Sequence, residues 1–139
     1  MSTVIDAAQA ALAAEHAAVY GYGVVGGQAA AARKREATQA YDAHRARRDA
    51  MIRTVRDLGA TPVAAAAGYA LPFPVTGPAA AVRLAAYLEE HVAGAYGDLV
   101  RASLGGIRQD AASALREAAV RAVRWRGGSV AFPGLAADG

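Results

Sequence analysis

The sequence predicts an all-α chain: a bundle of four helices with one long crossover between the second and third. Three observations carry this. Forty of the 139 residues are alanine, the best helix former and a poor strand residue. Apolar residues recur at helical spacing in four long stretches, at about 4–26, 33–58, 78–104 and 107–126. The links between these stretches are short, long and short, and the long one, residues 59–78, holds four of the five prolines. The length suits a single domain spanning 1–139, with one core built from many small side chains.

In the first helix, Thr3 is placed to cap the N-terminus with Asp6 three residues on. Ile5, Ala8, Leu12, Val19 and Gly23 mark one face, with Glu15 and His16 on its two sides. Residues 21–26, GYGVVG, match GxGxxG. The dinucleotide reading of that motif requires a preceding strand, and here a helical pattern precedes it, so the glycines serve close packing and the turn that follows.

The second helix is the unusual one. At about 100° per residue, Ala37, Tyr41, His44, Arg48, Met51, Ile52 and Val55 fall within about 60° of one direction. Its apolar face thus carries a histidine and an arginine, which burial tolerates only with partners. Gly59 is placed to end the helix in a left-handed cap. In the linker, 63–67 suit a helical turn, and Leu71, Phe73 and Val75 are expected to cover the core in passing.

Pro78 opens the third helix. Ala81, Ala85, Leu88, Val92, Tyr96 and Leu99 form its inner face, with Glu89 near that face and Glu90 pointing away. Gly105 and Gly106 are read as the next turn. The fourth helix turns Ile107, Ala111, Ala114, Ala118, Ala122 and Trp125 inward, and Val130 and Phe132 in the tail are expected to cap one end. The runs EHAAVYG at 15–21 and EHVAGAYG at 90–97 hint at two related hairpins, offset by one inserted residue, although composition alone can generate such a match.

Short, long and short links are the connectivity of ferritin-like folds. The runs LAAEHAAVYGYGVVG, AHRARRDAM, GYALPFPV, YLEEHVAGAYGDLV and AVRWRG also resemble an alanine-rich, ferritin-like domain family of actinobacterial proteins of unknown function. The resemblance covers nearly the whole chain. It implies a ferritin-like four-helix bundle, often dimeric, with no established activity, and a polar centre made by Glu15, His44, Arg48 and Glu89.

A ferritin-like di-metal centre takes a glutamate from each of two helices and ExxH from each of the others. No ExxH occurs here, and Ala111, Ala114, Ala118 and Ala122 on the inward face of the fourth helix cannot ligate. Arg48 is expected where a cation would sit, salt-bridged to Glu15 and Glu89. The expected metal and cofactor complement is therefore none. The alternative is a partial iron or manganese site from Glu15, His16, His44 and Glu89, in an oxidoreductase of the same fold, and an alanine-lined small-ligand bundle is a third reading. Tyr20, Tyr22, Tyr41 and Tyr96 are read as core aromatics with satisfied hydroxyls. Ser103, Ser113 and Ser129 have no histidine partner in evidence, so no nucleophilic site is assembled and an enzyme is not the favoured reading.

There are no cysteines, which removes disulfides and thiolate chemistry. The net charge is +3, and eight of the fifteen basic residues lie between Arg33 and Arg56 with acidic residues among them. This reads as a solvated helical face, not as a specific nucleic-acid surface, since no aromatic platform accompanies it. No signal peptide and no stretch of about 18 strongly apolar residues is present, so a cytoplasmic protein without a membrane partner is expected. The expected partner is a second copy, as a homodimer.

Overall fold

The computed structural model describes residues 3–127. Four helices make up the fold: α1 Thr3–Gln28, α2 Lys34–Asp57, α3 Pro78–Ala102 and α4 Gly105–Arg126, with no strand among the described residues. Each boundary has a local cause. Thr3 is already helical, so it does not act as the cap expected of it. A short 3-10 turn, Ala31–Arg33, leads into α2, and Lys34 Nζ donates to the Gly26 carbonyl (2.8 Å) near the end of α1.

Helix α2 ends in the expected left-handed glycine, Gly59 at φ +88°. The Gly59 amide donates to Arg56 O and the Ala60 amide to Val55 O, which satisfies the last carbonyls in a Schellman arrangement. Gly77, at φ +85°, precedes Pro78 at the first turn of α3. The α3–α4 turn begins two residues before the expected Gly105. Ser103 and Leu104 are extended and open the turn, and Gly105, at φ +60°, completes it where α4 begins. Ser103 Oγ donates to Leu99 O (2.5 Å) and Arg108 Nε to Val100 O (2.9 Å), so side chains close the end of α3.

The linker between α2 and α3 runs the length of α1. Near one end, Gln9 Nε2 donates to Thr61 O (2.7 Å) and Gln9 Oε1 accepts from the Val63 amide (2.8 Å). Further along, the Tyr20 and Tyr69 rings meet at 5.5 Å, and at the other end Gln28 Oε1 accepts from the Gly77 amide (2.8 Å). Helix α3 therefore starts at the end opposite to where α2 stops, and α2 and α3 run parallel. Residues 63–67 form no helical turn. The Val63 carbonyl, which such a turn would direct at Ala67, instead faces His16 Nε2 at 3.0 Å.

Helix α1 packs on both α2 and α3, and α3 packs on α4. The links to α4 on this side are by side chains: Arg47 of α2 to Glu117, and Arg33 of the turn before α2 to the Trp125 and Arg124 carbonyls. The apolar core falls into two clusters. One holds Leu12, Met51, Val55, Val92, Tyr96 and Leu99; the other holds Tyr22, Val25, Leu84, Leu88 and Trp125, with Leu71, Phe73 and Val75 packed against it as expected. A polar layer separates them. The inward packing of Val130 and Phe132 lies outside the described residues.

Candidate functional site: a buried carboxylate–histidine layer

Glu15 on α1, His44 on α2 and Glu89 on α3 are all buried to within 1% of full enclosure. Each sits at mid-helix on a stripe that is otherwise apolar, so folding the stripes together brings the three into one layer. His44 lies between the carboxylates, with Nδ1 2.5 Å from Glu15 Oε1 and Nε2 2.9 Å from Glu89 Oε2. A carboxylate only accepts, so both ring nitrogens carry protons and donate, and the ring is an imidazolium. Burial alone pushes the His44 pKa down, but the hydrogen bonds and charges of Glu15 and Glu89 outweigh it and raise it to about 9.

Two tyrosines complete the layer. Tyr96 on α3 donates to Glu15 Oε2 (2.7 Å), and Tyr22 on α1 donates to Glu89 Oε2. Each tyrosine follows the glutamate of its own helix by seven residues, about two turns on the same face. Because α1 and α3 are antiparallel, each tyrosine reaches the glutamate of the opposite helix. Burial, and then the neighbouring carboxylate, drives both phenols far above their ordinary range, so they remain neutral donors. Trp125 Nε1 on α4 donates to the Tyr22 hydroxyl (2.9 Å), and the Tyr22 ring stacks on His44 at 5.5 Å. One atom is left over: Glu89 Oε1 has no hydrogen-bond partner and lies 3.9 Å from Arg121 Nη1.

Two of the residues expected at this centre are elsewhere. Arg48 is partly exposed, and its guanidinium pairs with Asp49 (3.0 Å), not with Glu15 or Glu89. The cation between the carboxylates is His44. Its short side chain fits the interhelical space, whereas Arg48 is long enough to carry its charge to the rim of the helix. His16 is buried but faces the crossover, and its Nε2 donates to Val63 O. Of the tyrosines read as satisfied core aromatics, Tyr22 and Tyr96 are so; Tyr20 is 40% exposed and Tyr41 is only partly buried.

The donor set does not fit a di-metal centre. Both His44 nitrogens are already engaged, and α4 supplies neither a glutamate nor an ExxH pair to the centre, since its inward residues are Ala111, Ala114, Ala118, Ala122 and Trp125. Among the described residues no group of three or more His, Cys, Asp or Glu is disposed to hold a metal ion. What the layer can do chemically is hold one proton on His44, enclosed by two carboxylates and two neutral phenols.

Sequence reasoning left Arg121 and Trp125 out of the centre and gave the two tyrosines no specific partners. A signal was present. Glu15 and Tyr22 in the first helix and Glu89 and Tyr96 in the third share one seven-residue spacing, each pair followed by a glycine.

Among the described residues no helix is long and apolar enough to cross a membrane. No curated protein is detectably similar to the chain. A solved crystal structure, that of a conserved hypothetical protein from Mycobacterium tuberculosis, is similar at 38% identity and a TM-score of 0.89, covering 94% of this chain and 93% of that one. Residues 7–137 match the family described as Domain of unknown function (DUF4439), and the chain belongs to that family.

Proposed function

We propose that the chain is a single ferritin-like domain that acts as a structural or interaction module, not as an enzyme, and that it works as a homodimer. The observation that carries this reading is the double engagement of His44. In place of an open ligand set, the centre holds an internal cation with its ring nitrogens directed at Glu15 and Glu89. The two carboxylates are thereby committed to holding α1, α2 and α3 in register. Self-association is supported by the outward stripe of α4, where Val120 is 41% and Val123 58% exposed beside exposed Ala112 and Ala119.

Elemental analysis of protein purified without chelator tests the first part, followed by titration with iron and manganese. The expected result is substoichiometric metal and an unchanged unfolding midpoint. Stoichiometric iron or manganese would establish the metal-binding reading in its place. Sedimentation equilibrium at tens of micromolar tests the second part; a dimer is expected, and a clean 14.1 kDa species overturns it.

A further inference from the structure

The crossover does not lie flush on the helices beneath it. Between it and the α1–α3 pair is a cavity of about 190 Å³, lined by no residue of α2 and by none of the carboxylate–histidine layer. Its cause is local. On this side α1 presents Tyr20 at the rim and otherwise only Ala14, Ala17 and Gly21. A Cβ on Gly21 would fall 2.5 Å from Leu88 Cδ1, so the missing side chain lets Leu88 lie against the α1 backbone and leaves the space beside it open.

The rim is aromatic with polar tips. Tyr20 and Tyr87 are 40% and 42% exposed, two of the most exposed large hydrophobic side chains among the described residues, and both line the opening. Tyr20 meets Tyr69 of the crossover at 5.5 Å, and Tyr87 lies nearly parallel to His91. The Tyr69 hydroxyl accepts the Ala66 amide (3.0 Å) and keeps its own proton to donate. No Asp, Glu, Lys or Arg lines the space, and the one titratable side chain besides the tyrosines is His91 at its edge, so no fixed charge there compensates a charged ligand.

We propose that this cavity binds a small uncharged aromatic molecule of one or two rings that carries a hydrogen-bond acceptor. The size follows from the volume: an apolar cavity of roughly 150 Å³ accommodates benzene. The flat faces of the tyrosines select an aromatic ring, and the Tyr69 hydroxyl selects the acceptor.

Quinoline is a suitable probe and naphthalene its control without an acceptor, each titrated into the full chain labelled with nitrogen-15. Saturable amide shifts are expected with quinoline, confined to 14–21, 69–72 and 84–91. Replacing the half-exposed Ala17 by Trp fills the space and is expected to weaken quinoline binding by at least about tenfold while leaving the unfolding midpoint unchanged. Tyr69→Phe is expected to remove the preference for quinoline over naphthalene. The proposal is overturned by the absence of saturable shifts at the solubility limit of quinoline, or by scattered shifts. Equal binding to wild type and both variants overturns it too. So does protection of these same amides by rising protein concentration without quinoline, which assigns the face to a second copy.

Discussion

His44 carries the one positive charge that lies between Glu15 and Glu89, and its removal is expected to have the largest effect of any single change in the layer. His44→Ala leaves two buried carboxylates facing one another and is expected to cost about 3–5 kcal/mol, read from the urea midpoint at pH 7. The pairing also sets a pH dependence. The folded pKa is raised from 6.5 to about 9, so the contribution is fully present below about pH 6.5 and is lost as pH rises through 9. A shift of that size corresponds to about 3 kcal/mol, expected as a falling midpoint across this window. The slope should vanish in His44→Gln; a parent whose midpoint stays level from pH 6.5 to 9 sinks the imidazolium assignment. Tyr96→Phe removes the donor to Glu15 Oε2 and is expected to cost about 1–3 kcal/mol in the same assay. Arg48→Met, by contrast, should shift stability by no more than about 0.5 kcal/mol, because Arg48 pairs only with exposed Asp49.

At the scale of the element, the crossover is held by side chains of α1 and by two glycines with positive φ. Gly77→Ala places a Cβ at φ +85° and is expected to cost about 1–2 kcal/mol, although the space around it is open. Equal stability of parent and variant would show that the α3 entry adapts. Gln9 holds both the Thr61 carbonyl and the Val63 amide, so Gln9→Ala should speed hydrogen exchange at Val63 while leaving amides in the middle of α1 protected. A uniform rise in exchange would mean instead that the crossover and α1 open together.

For the whole molecule, the seam between α2 and α4 is the place where side chains substitute for close helix packing. Arg47 donates to both oxygens of Glu117, and each raises the other's preference for its charged form: the hydrogen bond to Glu117 lifts the Arg47 pKa, and the bond from Arg47 lowers that of Glu117. Both side chains are partly exposed, so solvent screens the pair. A double-mutant cycle with Arg47→Gln and Glu117→Gln should give a coupling below about 1 kcal/mol that fades in high salt. A larger, salt-insensitive coupling would show that the seam is closed to water.

Features that depend on neighbours along the chain were legible before any folding. Helical period, the glycine after α2 and the proline opening α3 are local signals, and a long link between two short ones leaves the crossover as the natural connection. The sequence also singled out Glu15, His44 and Glu89, together with Arg48, because each is a polar residue on an otherwise apolar stripe, and the shorter side chains there are carried into the interior. Tertiary structure alone decided which cation meets the carboxylates. His44 and Arg48 lie about 40° apart on the same face of α2, and the choice between them depends on how closely α1, α2 and α3 approach. The crossed tyrosine–glutamate pairs likewise require the antiparallel register of α1 on α3. The partner of His16 is a backbone carbonyl, a group every residue carries and no sequence pattern marks, so only the path of the crossover could reveal it.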